Sequence, residues 1–189
     1  MKTHISKLIA FYALFCGACV PSIHPLYTET DLAFDPALIG VWREANETET
    51  WDISFVDEKK YRLIHTDESG KKGEFEMRLV KVDGRMFLDL TPVKPTSTQN
   101  DFYGGHILTV HTFVHLSRDG ATVQISMLDP KWLKSALAQN GNSLRHTMMG
   151  DEILITDSSK NLQKFLISNI AVPGAFDSPV TLRRKDGKR

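Results

Sequence analysis

Beyond Cys16 and Cys19 the 189-residue sequence holds no cysteine. Residues 20 onward can therefore form no disulfide framework, thiol nucleophile or Cys-x-x-Cys redox pair. Also missing are a Gly-x-Ser-x-Gly elbow, a Walker loop and a His-Glu-x-x-His zinc motif. No apolar run reaches the roughly 20 residues of a membrane-spanning helix. An excess of charge is absent too, since 23 Lys and Arg balance 23 Asp and Glu. Nothing resembles a basic stripe with interleaved aromatics, so nucleic acid is not an expected partner. The acidic residues are scattered, and no pair is placed by spacing for acid–base work. These absences point to a non-enzymatic protein with no implied cofactor.

What is present begins at the N-terminus. Lys2 and Lys7 precede the apolar run Leu8 to Phe15, and Gly17-Ala18-Cys19 closes it. A positive start, an apolar stretch of about 7–15 residues and small residues before a cut form a secretory signal. The ending resembles a bacterial lipobox, with Cys16 where leucine is usual. That resemblance implies cleavage after residue 18 and acylation of Cys19. An ordinary signal cut after Ala18 and an uncleaved anchor are the alternatives. Loss of Lys2 and Lys7 would leave two more acidic than basic residues. The expected organisation is a lipoprotein signal over 1–18, a tether or cover segment over 19–36, one β-rich domain over 37–185 and a flexible tail over 186–189. Pro21, Pro25 and Pro36 keep the cover segment extended. Its Ile23, Leu26, Tyr27, Leu32 and Phe34 favour packing against the domain.

From residue 39 the chain alternates. Trp51, Ile53 and Phe55, then Phe75, Met77 and Leu79, then Met86, Leu88 and Leu90, recur at period two. Such alternation marks half-buried antiparallel strands. Turn signals at Asp67-Glu68-Ser69-Gly70, Asp83-Gly84 and Asp119-Gly120 make the strands a meander of hairpins. Asp129 and Pro130 open a helix carrying Trp132, Leu133, Ala136 and Leu137, which Asn140-Gly141 stops. A second helix starts near Ser158 or Ser159 and presents Leu162, Phe165, Leu166 and Ile170. Val180-Thr181-Leu182 can close the sheet, and residues 92–106 read as a long mobile loop. The expected fold class is mainly β (α+β): an antiparallel meander, either a curved sheet or a barrel, with two helices packed on it.

The histidines are weak metal ligands by spacing. In the expected strand over residues 106–116, Leu108, Val110, Val114 and Leu116 share one face, while His111, Phe113 and His115 share the other. His111 and His115 lie about 13 Å apart along a strand. One metal with bonds of about 2 Å cannot join them. His65 or His146 would have to complete such a site, and no metal is expected.

Gly40-Val41-Trp42 resembles the Gly-x-Trp motif on the first strand of lipocalins and similar ligand-binding barrels. That resemblance implies a Trp at the barrel floor with an Arg from the last strand packed over it, here Arg183 or Arg184. The stretches 19–27, 38–42 and 128–133 (Cys19-Val20-Pro21, Leu38-Ile39-Gly40-Val41-Trp42, Leu128-Asp129-Pro130-Lys131-Trp132-Leu133) resemble a group of uncharacterised bacterial lipoproteins. This implies export and a membrane-bound, lipid-anchored protein of the cell envelope. Val20 after Cys19, by the same resemblance, implies the outer membrane facing the periplasm in a Gram-negative host. Two functions are compatible: an interaction or structural module meeting an envelope protein, or a carrier of a small apolar ligand such as lipid. For the carrier, Trp42, His111, Phe113 and His115 are the expected ligand-lining residues.

Overall fold

The structure is a computed structural model that describes residues 19–93, 106–119, 121–139 and 143–185. The expected signal over 1–18, most of the 92–106 loop and the 186–189 tail lie outside those residues. So do the expected stop at Asn140-Gly141 and Gly120 of the third turn.

Eight antiparallel strands close into a barrel. The meander runs β2 (Gly40–Glu44), β3 (Thr50–Asp57), β4 (Lys60–Thr66), β5 (Lys72–Val82), β6 (Arg85–Pro92), β7 (Thr112–Asp119) and β8 (Thr122–Ser126). The last strand, β11 (Val180–Arg184), pairs Leu182 with Val123 of β8 on one side. On its other side it sets Arg184 opposite Trp42 of β2. A two-residue strand, β1 (Leu32–Ala33), joins β5 at Val80 and Leu79, beyond the last β4 pair at Met77.

Between β8 and β11 the chain makes an excursion. It forms α1 (Pro130–Gln139), the ribbon β9 (His146–Met149) with β10 (Glu152–Ile155), and α2 (Ser159–Asn169). The Asp129 carboxylate caps α1 by accepting the Trp132 N–H at 2.5 Å, and the Ser158 side chain accepts the Asn161 N–H at the start of α2. Both caps fall on the residues the sequence marks. The Asp83-Gly84 turn also forms there, with both residues at positive φ (47° and 76°), the geometry of a tight hairpin.

Two apolar clusters result from the two faces of one wall. The inner cluster includes Trp42, Trp51, Tyr61, Met77, Leu88, Val114 and Leu182. The outer one sets Val80, Phe87 and Phe113 of the wall against Leu133, Leu137, Leu162, Phe165 and Leu166 of the helices. Burial of each such side chain contributes about 1.5–3 kcal/mol. The period-two pleat thus feeds both cores. Central strands therefore bury both faces, as in the buried run Phe87, Leu88, Asp89 and Leu90 of β6.

The strand expected over residues 106–116 begins only at Thr112, with one bridging residue, His111, before it. Leu108 is 69% exposed rather than on a shared apolar face. The β6–β7 ladder ends at Leu90↔Thr112, two residues short of Pro92. A proline there has no N–H with which to extend it. His111 turns its backbone to the N-terminal segment instead.

Candidate functional site

Residues 20–31 are part of the fold. The Ser22 N–H donates to the His111 carbonyl at 2.9 Å, and the His111 N–H returns to the Ser22 carbonyl at 2.8 Å. On its other side the segment meets β10. The Ile155 N–H donates to the Pro21 carbonyl, and the Ile23 N–H to the Ile155 carbonyl. The N-terminal segment therefore stitches the β9–β10 ribbon to the barrel wall. Val20, Ser22 and Leu26 are buried, while Cys19 immediately before them is exposed.

A buried polar cluster fastens the same segment. Asp89, 1% exposed, points outward from β6 because its neighbours Leu88 and Leu90 point inward. One carboxylate oxygen accepts the Leu26 N–H at 2.7 Å. The other lies 2.7 Å from His111 Nδ1, which is also 2.9 Å from the Thr91 hydroxyl. A carboxylate and a hydroxyl thus meet the same ring nitrogen. In a hydrolytic relay they would occupy opposite nitrogens. The arrangement anchors backbone. From α2, Gln163 Nε2 donates to the Leu26 carbonyl at 2.7 Å and to the Asp31 carboxylate at 2.8 Å. The Arg78 guanidinium stacks over Tyr27, 5.2 Å from the ring centre.

The expected ligand-lining residues fall on opposite sides of the wall. Trp42 belongs to the inner cluster, whereas Phe113 belongs to the outer one. His111 lies in the polar cluster just described. His115 packs between Phe87 and Phe176, at 5.4 and 6.0 Å between ring centres. Burial, and secondarily the charge of Arg85, holds the His115 imidazole below its ordinary pKa and favours its neutral form. Period two explains the division: Val114 and Leu116 take the inner positions of β7, so His111, Phe113 and His115 face the attached layer. No single hollow holds all four residues.

The barrel end at Trp42 is closed by a compact group. Trp42 Nε1 donates to the Leu38 carbonyl at 2.7 Å. The Arg184 guanidinium lies 5.1 Å from the centre of the indole ring and donates to the Ala37 carbonyl at 2.8 Å. Gly40 has φ +141°, and a Cβ there would come within 3.4 Å of the Arg184 guanidinium. The positive φ is what calls for glycine, since a Cβ would meet the flexible guanidinium only at ordinary contact distance. Of the two arginines the resemblance offered, it is Arg184 that stacks. Arg184→Ala removes the cation–π contact and one carbonyl partner, so it should cost about 1 kcal/mol in urea unfolding.

Cys19 itself is placed by this same scaffold. Its sulfur lies 3.8 Å from Met127 Sδ. The residue is exposed as a whole, but packing of the sulfur against the domain removes part of its hydration. This, together with the nearby Asp177 carboxylate, pushes the thiol above its ordinary pKa. A raised pKa disfavours the thiolate that nucleophilic or redox chemistry needs. Among the described residues, no group of three or more His, Cys, Asp or Glu could hold a metal ion. No family model, curated protein or solved structure matches the chain. Fold and local geometry carry the reading alone.

The Asp89 cluster and the stitching of residues 20–31 are what sequence reasoning missed. Backbone pairing through Pro21–Ile23 leaves no side-chain period. Asp89 and His111 become neighbours only once the β6–β7 register is known. The one available signal was an Asp inside the otherwise apolar run Met86 to Leu90.

Proposed function

We propose that this chain is a bacterial envelope lipoprotein, acylated at Cys19, whose barrel is a non-enzymatic interaction or structural module held against the membrane. The observation that carries the proposal is the junction at Cys19. An exposed cysteine follows a signal-like leader, and its chain becomes part of the sheet by Ser22. An acyl anchor there would join a rigid body with almost no linker. Two or more acyl chains hold a protein durably, whereas one chain binds only marginally. In a Gram-negative host, Val20 after Cys19 favours the outer membrane, with the barrel facing the periplasm.

The test is the intact mass of the full-length gene product recovered from such a host. The expected species begins at Cys19 and carries diacylglyceryl and acyl additions. In Cys19→Ser the precursor should remain uncut and take up no labelled palmitate. A water-soluble protein starting at Cys19 with a free thiol would overturn the anchor.

The second reading, a lipocalin-like carrier of a small apolar ligand, is favoured by one observation: Arg184 stacked on Trp42 beside Gly40. Native mass spectrometry separates the two. A reproducible extra mass, lost on denaturation, would favour the carrier.

A further inference from the structure

β9 is an exposed edge. All four of its residues, His146 to Met149, are exposed, with Met148 at 45% and Met149 at 46%. Among the described residues only β10 pairs with it. Edge strands are ordinarily blunted by charges, proline or a bulge, and His-Thr-Met-Met contains neither Lys, Arg, Asp, Glu nor Pro.

The ladder shows which backbone groups are turned outward. Ile155 directs its N–H and C=O away from β9, to Pro21 and Ile23. In an antiparallel pair, residues alternate between bonding inward and outward. His146, opposite Ile155, and Met148, opposite Ile153, therefore turn their N–H and C=O away from β10. An incoming strand must pair its own outward-bonding residues with these.

We propose that the occupant is a second copy of this chain, with β9 antiparallel to β9 about a two-fold axis at Met148. That register sets Met148 opposite Met148 and Thr147 opposite Met149. It also brings Arg145 of each copy to Asp151 of the other. The Arg145 side chain is 70% exposed and holds Asp157 of its own chain through Nε and Nη2 at 3.3 Å, which leaves Nη1 for the partner copy. Asp151 sits in the exposed turn between β9 and β10. The central strand is neutral and opposite charges flank it at its two ends, so it complements itself. A displaced register would lose both charge pairs. An isologous contact of this kind closes on itself and joins the two ribbons into one four-stranded sheet without forming fibres. The contact is short, so the dimer is weak in dilute solution and a covalent trap suits it.

The test uses the full-length chain carrying Met148→Cys, oxidised in detergent and run without reductant, with the unsubstituted chain as background. A directly paired residue has Cα atoms about 5.5 Å apart, inside the disulfide range of about 4.4–6.8 Å. Thr147→Cys is the control, because in this register its two copies lie about 8 Å apart. Dimer should form several-fold more in Met148→Cys than in Thr147→Cys, and adding Asp151→Lys should suppress it. Equal yield at both positions, or dimer at neither, would overturn the proposal. Capture of a different protein by the Met148→Cys thiol would overturn it equally, by naming another occupant.

Discussion

Asp89→Ala is expected to lower stability by about 3 kcal/mol and to free the N-terminal segment for proteolysis between Val20 and Asp31. A buried hydrogen bond to a charged group contributes about 1.5–3 kcal/mol, and an orphaned buried donor adds its own desolvation cost. Asp89 is 1% exposed and serves two partners. Its loss strands the Leu26 N–H and leaves His111 with only the Thr91 hydroxyl at Nδ1. The midpoint of urea unfolding reports the energy, and the positions of early thermolytic and chymotryptic cuts, near Ile23, Leu26 and Tyr27, report the place. An unchanged midpoint with an uncut segment would show that Asp89 does not hold residues 20–31 to the wall.

Asp157 should matter as much, for a different reason and with a pH signature. It is 4% exposed at the start of α2. Burial alone would raise its pKa. The N–H groups of Arg145 and Ser158, the Asn161 amide and the Arg145 guanidinium outweigh that and bring it down to about 2. A carboxylate whose folded pKa lies below its unfolded value stabilises at pH above the unfolded pKa. That stability is lost as pH falls through the folded one. Here the window runs from about pH 4 down to 2, and the drop from 3.8 is worth about 2 kcal/mol. Asp157→Ala should cost about 3 kcal/mol at pH 7, because two backbone donors lose a charged acceptor. It should also flatten the acid limb of the stability curve. Chemical unfolding of both proteins between pH 2 and 7 measures each part. A mutant curve parallel to that of the unsubstituted protein across the window would remove Asp157 as the origin of the acid limb.

How far the sequence could be read varies by element. The meander was legible because Trp51 to Phe55, Phe75 to Leu79 and Met86 to Leu90 alternate, and Asp83-Gly84 admits only a tight turn. Both helices were legible through Asp129, Pro130 and Ser158. The Gly40, Trp42 and Arg184 group was legible as a resemblance, though not which arginine would stack. The β9–β10 ribbon was not. Its strands have four residues each, and Glu152 to Ile155 buries three consecutive apolar side chains, so no period survives. The grouping of Trp42 with His111, Phe113 and His115 failed because two faces of one wall are both covered here. An outward histidine then looks, in sequence, like one that points into a cavity.

The placement of β11 has a consequence for how the molecule is made. The seven strands of the meander are contiguous apart from their loops, but the ring lacks one member until residues 180–184 arrive. Before that, β2 and β8 are bare margins of an open sheet, and Trp42 waits without the guanidinium that covers it. Non-local closure of this kind is slow, and unpaired margins recruit other chains. Premature termination, or a protease acting, a few residues short of Arg184 would leave the meander without its closing strand and unprotected at its seam.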